Sequence, residues 1–165
     1  FVHVPAQHVQ TPYWLKLELD VVAADRNHWI DPPWFDGNPS IVAPRWGYTK
    51  PQDSIARLDA WANSLPQFDG TPPMNLPVNP DSDKVIHPRI CSWCAFFNTE
   101  FTKYCARLAA DSCGDGMIPI PSQDTFHFYV AKRLGFAIRT VRMKQFGWKL
   151  CSSMSSINDA VKAVM

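Results

Sequence analysis

Proline is distributed very unevenly along this 165-residue sequence, and that unevenness limits what its first half can fold into. Thirteen of the 15 prolines lie in residues 1–90, together with five of the seven tryptophans. Proline fixes φ and removes a backbone donor, so long regular elements are not expected there. The aromatic content is nevertheless unlike that of a disordered linker. The first half is therefore predicted to be either an extended arm that lies on a partner or an irregular region folded over its own core.

Two regular elements are predicted within this half. Leucines alternate with charged residues over 14–22, which is typical of a half-buried strand. Residues 51–65 have the apolar spacing of a helix that Pro66 ends. The segment 38–50 is predicted to be a loop, and 66–87, with five prolines, a linker. The chain is thus predicted to divide into an extended arm rich in Pro and Trp over 1–87 and a small helical domain over 88–165.

Tryptophan is a typical anchor at protein interfaces, because its large ring buries much apolar area. An arm of this composition would present several such anchors to other subunits of an assembly. The candidate partner-binding residues are Trp14, Trp29, Trp34 and Trp46.

Four of the five cysteines lie in residues 88–114, and this stretch has helical periodicity. An amphipathic helix over 88–113 is predicted, with Cys94, Phe97 and Cys105 on one stripe. Cys94 and Cys105 would then be separated by roughly 16 Å of helix rise, too far for a disulfide with each other. Each is expected either to bond a cysteine packed against that face or to remain a buried thiol. The disulfide candidates are Cys91, Cys94, Cys105 and Cys113.

The pattern Cys94-x6-Phe101-x3-Cys105 resembles one helix of the mitochondrial coiled-coil-helix family, the twin Cys-x9-Cys proteins. In particular, it is similar to the Cys-x10-Cys half of the cytochrome oxidase subunit 6B type. The resemblance covers residues 91–113, without a second such helix. It implies a non-catalytic accessory subunit of a respiratory-chain complex, on the intermembrane-space side of the inner membrane. A secreted or viral protein is the alternative.

Two other chemistries use the same cysteines. His87, Cys91 and Cys94, with Cys113 as a fourth ligand, have residue types that zinc accepts, which would give a zinc-stabilised binding module for nucleic acid.

The second chemistry is that of a thiol hydrolase. The sequence CSWCAFF resembles the region around the catalytic cysteine of papain-like proteases, which implies Cys94 as nucleophile and His127 as base. His127, however, lies off the apolar stripe of a helix predicted over 122–134 and is expected to be exposed.

The C-terminal part carries a local excess of positive charge. Cations interleaved with aromatic residues are suited to anionic lipid or nucleic acid, although a solvated basic face has the same pattern. The net charge of +1 excludes a polycation of the ribosomal type. The candidate residues are Arg139, Arg142, Lys144 and Lys149.

Together these patterns predict a mainly α fold with long irregular Pro-rich segments, about three to four short helices and little β. The sequence carries none of the familiar nucleotide-binding or hydrolase motifs, so it predicts a structural subunit rather than an enzyme. Its partners would be other protein subunits of a large complex, with no cofactor other than zinc in the alternative. No apolar run approaches about 18 residues and no targeting segment is visible, so no membrane span is expected.

Overall fold

The computed structural model describes residues 7–17, 32–43, 45–74, 84–90, 94–112 and 123–141. These residues contain three α-helices, which are α1 (Gln52–Asn63), α2 (Thr99–Ser112) and α3 (Gln123–Arg133). They also contain six strands, which are β1 (Tyr13–Leu17), β2 (Ile41–Ala43), β3 (Arg45–Pro51), β4 (Lys84–Ile90), β5 (Cys94–Asn98) and β6 (Ile138–Thr140). Short 3-10 turns occur at Pro32–Phe35 and Pro66–Phe68.

Four of the strands form one mixed sheet in the order β1-β5-β2-β6. β5 is antiparallel to both β1 and β2, whereas β6 runs parallel to β2. The register places Trp14 opposite Phe97, and Phe97 opposite Ile41. β3 and β4 form a separate antiparallel pair.

The prediction of a mainly α fold with little β is wrong, because the described residues combine three helices with this mixed sheet. The error is largest at residues 94–98, which helical periodicity places in the helix predicted over 88–113 but which form β5. All residues from Cys94 to Phe97 are buried. A strand that is buried on both faces appears in the sequence as a continuous apolar run. Periodicity alone cannot distinguish such a run from part of a buried helix.

Asn98 marks the change from strand to helix. Its side-chain Oδ1 accepts the backbone N–H of Phe101 at 3.1 Å, in the manner of a helix N-cap. The helix that carries Cys105 therefore starts at Thr99, one residue after the strand that carries Cys94 ends. The cap leaves the first turn of α2 at the end of the sheet.

The sheet separates two apolar clusters, because successive side chains of a strand point to opposite faces. The main core contains Phe97 of β5 with the three helices, and its buried members include Leu58, Phe101, Leu108, Phe126 and Tyr129. The smaller cluster on the other face consists of Val42, Cys94 and Phe96.

Both predicted halves of the chain contribute to this sheet. β1 and β2 come from residues 1–87, and they lie on either side of β5 from residues 88–165. The central strands are almost wholly inaccessible to solvent. Residues on both sides of the predicted boundary therefore share one core.

α3 ends where the sequence predicts. Gly135 has φ +72 and follows the last turn. Its N–H donates to the Lys132 carbonyl, and the N–H of Phe136 donates to the Ala131 carbonyl at 2.8 Å. This pair of bonds is the Schellman arrangement, which requires a left-handed residue that glycine supplies at least cost.

A partly buried ion pair joins α3 to α1 and to the loop that follows α1. Arg133, whose side chain is 1% exposed, donates through Nη1 to Asp59 Oδ1 at 2.6 Å. The Tyr129 hydroxyl lies 2.5 Å from the same carboxylate oxygen. Nη2 of Arg133 reaches Asn63 Oδ1 and Thr71 Oγ1, each at 3.0 Å. Such a pair offsets the cost of removing its charges from water only when the remaining polar atoms of both groups are also hydrogen-bonded.

Among the helices in the described part of the chain, none has the length and apolar character needed to cross a membrane.

Candidate functional site

The two described cysteines lie on opposite sides of the sheet. Cys94 packs with Val42 and Phe96 in the smaller cluster, whereas Cys105 belongs to the main core. Both are completely buried, and neither forms a disulfide. Burial raises the pKa of the Cys105 thiol well above its ordinary value, so this group stays protonated. The other two disulfide candidates, Cys91 and Cys113, fall outside the described residues.

This separation also applies to the predicted nucleophile and base. His127 is 1% exposed and contacts Phe97 and Phe126, with ring centroids 5.3 and 5.6 Å apart. It therefore lies on the main-core side of the sheet, across from Cys94. A nucleophile and its base must be within hydrogen-bond reach, and the structure does not bring these two together.

The expectation that His127 is exposed is wrong. Every residue from 125 to 131 is buried, so α3 has no solvent-facing side over this length. In a helix that is covered on all sides, the position of a residue relative to the apolar stripe does not predict whether that residue is exposed. The histidine is consequently a core residue that packs edge-on against phenylalanine rings.

Of the four zinc-ligand candidates, only Cys94 has a described side chain. His87 belongs to β4, where it pairs with Tyr48 in the backbone register. Cys91 and Cys113 are outside the described ranges. Across those ranges, no group of three or more metal-ligating side chains is found.

Two of the four predicted tryptophan anchors are engaged within the chain. The Trp14 ring stacks on Phe97 with centroids 5.2 Å apart, and its Nε1 donates to Thr102 Oγ1 at 3.2 Å. Trp34 packs against the smaller cluster. Trp46 lies on β3 opposite Arg89 in the backbone register, and Trp29 falls outside the described residues.

Arg139 is the only one of the four basic candidates within the described residues. Its guanidinium donates to the Pro33 carbonyl at 2.8 Å and to the Asp36 carbonyl at 2.7 Å. It thus closes the 3-10 turn over the outer face of the sheet. Arg142, Lys144 and Lys149 lie beyond the described ranges.

A concave surface that the sequence did not indicate runs along the exposed side of α2. Its first part is a cleft of about 620 Å³ between the segment 7–12 and the start of the helix. Its second part, about 350 Å³, continues past Lys103 to Ala110. Gln7 and Lys103 line both parts, so we treat them as one surface, the α2 groove.

Hydrogen bonds hold the segment 7–12 against the first turn of α2. The backbone N–H of Thr99 donates to the Pro12 carbonyl at 2.9 Å. The Thr99 hydroxyl donates to the Thr11 carbonyl at 2.7 Å. Two hydrogen bonds between distant parts of the chain, one of them spanning 88 residues, therefore shape this wall of the groove.

Asn38 and Asn98 close the end of the groove nearest the sheet. Asn38 adopts φ +51, a conformation that asparagine tolerates better than most residues. Its Oδ1 accepts from Asn98 Nδ2 at 3.1 Å and from the Tyr13 hydroxyl at 2.8 Å. Burial raises the pKa of Tyr13, an effect that the Asn98 hydrogen bond and Arg139 oppose. The tyrosine is therefore a neutral donor in this network.

Small and charged side chains alternate farther along the groove. Ala106 and Ala110 line this part together with Lys103 and Arg107. Lys103 Nζ is 3.0 Å from Glu100 Oε1. Arg107 is exposed, and it forms no ion pair with any described residue. The groove therefore combines neutral amide and hydroxyl groups at one end with cations beside small residues at the other.

The sequence contains partial signals for this site. Asn98 followed by Thr99 and Glu100 is typical of a helix start. Ala106 and Ala110 fall on the polar side of the helix rather than on its apolar stripe, which leaves room beside the backbone. The position of the segment 7–12 has no local signal, because it depends on pairing between β1 and β5.

Comparisons with protein-family models, with curated proteins and with solved structures gave no match to this chain.

Proposed function

We propose that this protein is a non-catalytic subunit of a protein assembly and that it binds its partner through the α2 groove. The observation that carries the proposal is the continuity of the groove, whose two parts share Gln7 and Lys103. A concave, hydrogen-bonded surface of this size can receive a segment of another chain with little reorganisation.

The lining of the groove supports a protein ligand. Gln10, Asn38 and Asn98 contribute amide groups, and Thr11 contributes a hydroxyl group. Amides and hydroxyls both donate and accept, so they can pair with the N–H and C=O groups of a peptide backbone. Ala106 and Ala110 allow a chain to approach the helix closely.

The placement of the reactive side chains supports a binding role over thiol chemistry. Cys94 and Cys105 are both buried, on different faces of the sheet, and neither lines the groove. A reactive cysteine is normally a partly exposed thiolate beside positive charge. The zinc module gains no supporting observation from Cys94, which packs among apolar side chains.

The host complex remains a proposal that rests on the coiled-coil-helix resemblance. That resemblance assumes one helix carrying both cysteines, whereas Cys94 belongs to β5 and Cys105 to α2. The described contacts therefore add no support to the proposal that the host is a respiratory-chain complex at the mitochondrial inner membrane. The proposed binding function rests on the α2 groove instead.

The test is to obstruct the groove without disturbing the core. Ala110 is exposed, so Ala110→Trp fills the groove while the helix is retained. Ala60→Trp is the matched control, since Ala60 is an exposed alanine on α1. The tagged full-length chains are purified from their native cells, and co-purifying proteins are quantified by mass spectrometry.

We expect a stoichiometric partner with the wild type and with Ala60→Trp, and its loss with Ala110→Trp. Recovery of the same partner with all three chains would contradict docking in the groove. Absence of any stoichiometric partner from the wild type would contradict the subunit role itself.

A further inference from the structure

The charges of the α2 groove indicate what kind of segment it accepts. Lys103 and Arg107 line its second part, and Glu100 lines only the first. Glu100 is already paired with Lys103. Arg107, in contrast, forms no ion pair with a described acid. A guanidinium in this position is suited to a carboxylate, which it can bind through two parallel hydrogen bonds.

The spacing of the two cations adds a constraint on the conformation of the segment. Lys103 and Arg107 are four residues apart on α2, so their Cβ atoms are about 6 Å apart on the same face. In an extended chain, every second side chain points the same way, at intervals of about 7 Å. Acidic residues at alternate positions of an extended peptide would therefore match the two cations in turn.

The remainder of the groove is compatible with such a chain. Gln7 lies between the two parts, and Thr11, Asn38 and Asn98 supply neutral polar groups at the sheet end. An extended peptide leaves alternate backbone N–H and C=O groups free. The amide groups of Gln7 and Asn38 carry N–H donors that can bond them, because the bonds of Asn38 to Tyr13 and Asn98 use only its Oδ1 atom. A helical ligand would have no free backbone groups of this kind except at its ends.

We propose that the α2 groove binds an extended segment of a partner protein in which acidic residues occupy alternate positions, with one carboxylate on Arg107. The inference rests on the proposed docking function and specifies the chemistry of the partner.

The experiment measures the fluorescence anisotropy of labelled ten-residue peptides with the full-length chain at low ionic strength. The probe alternates alanine and glutamate. A second peptide has the same composition but its glutamates in one block, and a third alternates alanine and lysine. Comparison with the second peptide separates the effect of the alternating pattern from the effect of total negative charge. The third peptide keeps the alternating pattern but carries positive charge.

Three variants identify the groove as the binding site. Arg107→Glu reverses the unpaired cation. Glu100→Gln removes the acid that competes for Lys103. Lys132→Glu is the matched control, because Lys132 is an exposed lysine on α3 that does not line the groove.

We expect the alternating acidic peptide to bind the wild type more tightly than either of the other peptides. Arg107→Glu should weaken that binding by about fivefold, the effect of one exposed charge pair. Glu100→Gln should strengthen it by about twofold, and Lys132→Glu should leave it within that range of the wild type.

Equal binding of the alternating and blocked acidic peptides would overturn the extended pattern, and an unchanged affinity in Arg107→Glu would overturn the role of that residue. The two proposals can fail separately. Loss of the native partner in Ala110→Trp, with no binding of the acidic peptide, would refute only the acidic segment. Retention of the partner in Ala110→Trp would refute the docking function.

Discussion

The guanidinium of Arg133 and the carboxylate of Asp59 meet at 2.6 Å although the residues are 74 positions apart. The arginine is buried, so its charge depends on this contact and on the hydroxyl and amide groups around it. The face of the guanidinium also lies over the Phe68 ring, 5.5 Å from its centroid. This arrangement ties α3 to α1 and to the loop at Thr71.

We predict that Asp59→Ala lowers the free energy of unfolding by about 3–5 kcal/mol, because it leaves a buried cation unpaired. The double variant Asp59→Ala with Arg133→Met should be less destabilised than the sum of the two single changes. Urea denaturation of the four proteins gives the coupling energy directly. Simple additivity would show that the pair contributes nothing as a pair.

Tyr129 and Cys105 should make the folded protein less stable at alkaline pH. Burial raises the pKa of Tyr129 above its ordinary value of 10.0, with a further contribution from Asp59, and burial likewise raises the pKa of Cys105 above 9.0. The folded protein thus holds these protons more tightly than the unfolded chain. Their stabilisation is complete below pH 9 and decreases as the pH rises above the unfolded values, by up to about 1.4 kcal/mol per pH unit for each group.

Urea denaturation between pH 8 and pH 11 measures this slope. Cys105→Ala removes one of the two groups and should make the slope shallower, beginning near pH 9. A slope that is identical in the wild type and in Cys105→Ala would exclude the thiol as a contributor.

Trp14 provides a test of how much the first half of the chain contributes to the stability of the shared core. Trp14→Ala should lower the free energy of unfolding by about 3 kcal/mol, since it removes a ring stacked on Phe97. Trp14→Phe preserves a ring but not the hydrogen bond to Thr102, and should cost about 1 kcal/mol. Thermal or urea denaturation distinguishes the two. A stability close to that of the wild type in Trp14→Ala would instead favour a side chain available to a partner.

The described cysteines should react only after unfolding. Cys94 and Cys105 are inaccessible to solvent, so iodoacetamide should label neither in the native protein within minutes. In urea, both should be labelled without prior reduction. Peptide mapping by mass spectrometry locates the label. Labelling in urea that requires a reductant would demonstrate a disulfide at these positions.

Asn38 gives a local test of the end of the groove. Asn38→Ala loses the bonds to Tyr13 and Asn98 and places at φ +51 a residue that lacks the polar side chain by which asparagine tolerates this conformation, which adds about 1 kcal/mol of backbone strain. Asn38→Gly loses the same bonds without the strain. The alanine variant should therefore be the less stable of the two in urea denaturation, and equal stabilities would indicate that the backbone relaxes.

Local signals in the sequence predicted the helices better than the strands. The helices predicted over 51–65 and 122–134 are observed at Gln52–Asn63 and Gln123–Arg133. Each has a terminating residue, Pro66 or Gly135, whose effect depends only on nearby backbone. β2 has three residues in a segment predicted to be loop. Its place in the sheet comes from pairing with β5 and β6, which no short window of sequence contains.

The candidate site was missed for the same reason. The cysteine pattern predicts a functional helix face through Cys94 and Cys105, but Cys94 belongs to β5, Cys105 belongs to α2, and both are buried. The α2 groove lies on the opposite side of the helix, where Ala106 and Arg107 carry no recognisable motif. Its other wall is supplied by residues 7–12, which reach the helix only because β1 pairs with β5.

On the ribosome, β1 and β2 are complete about 50 residues before β5, the strand that separates them in the sheet. At ordinary elongation rates this interval lasts roughly 3–10 s. During that time both strands lack the strand that pairs with them, and their edges are open to chaperones or to aggregation. Synonymous codons that slow translation between β2 and β5 should therefore lower the yield of folded protein without changing a single amino acid.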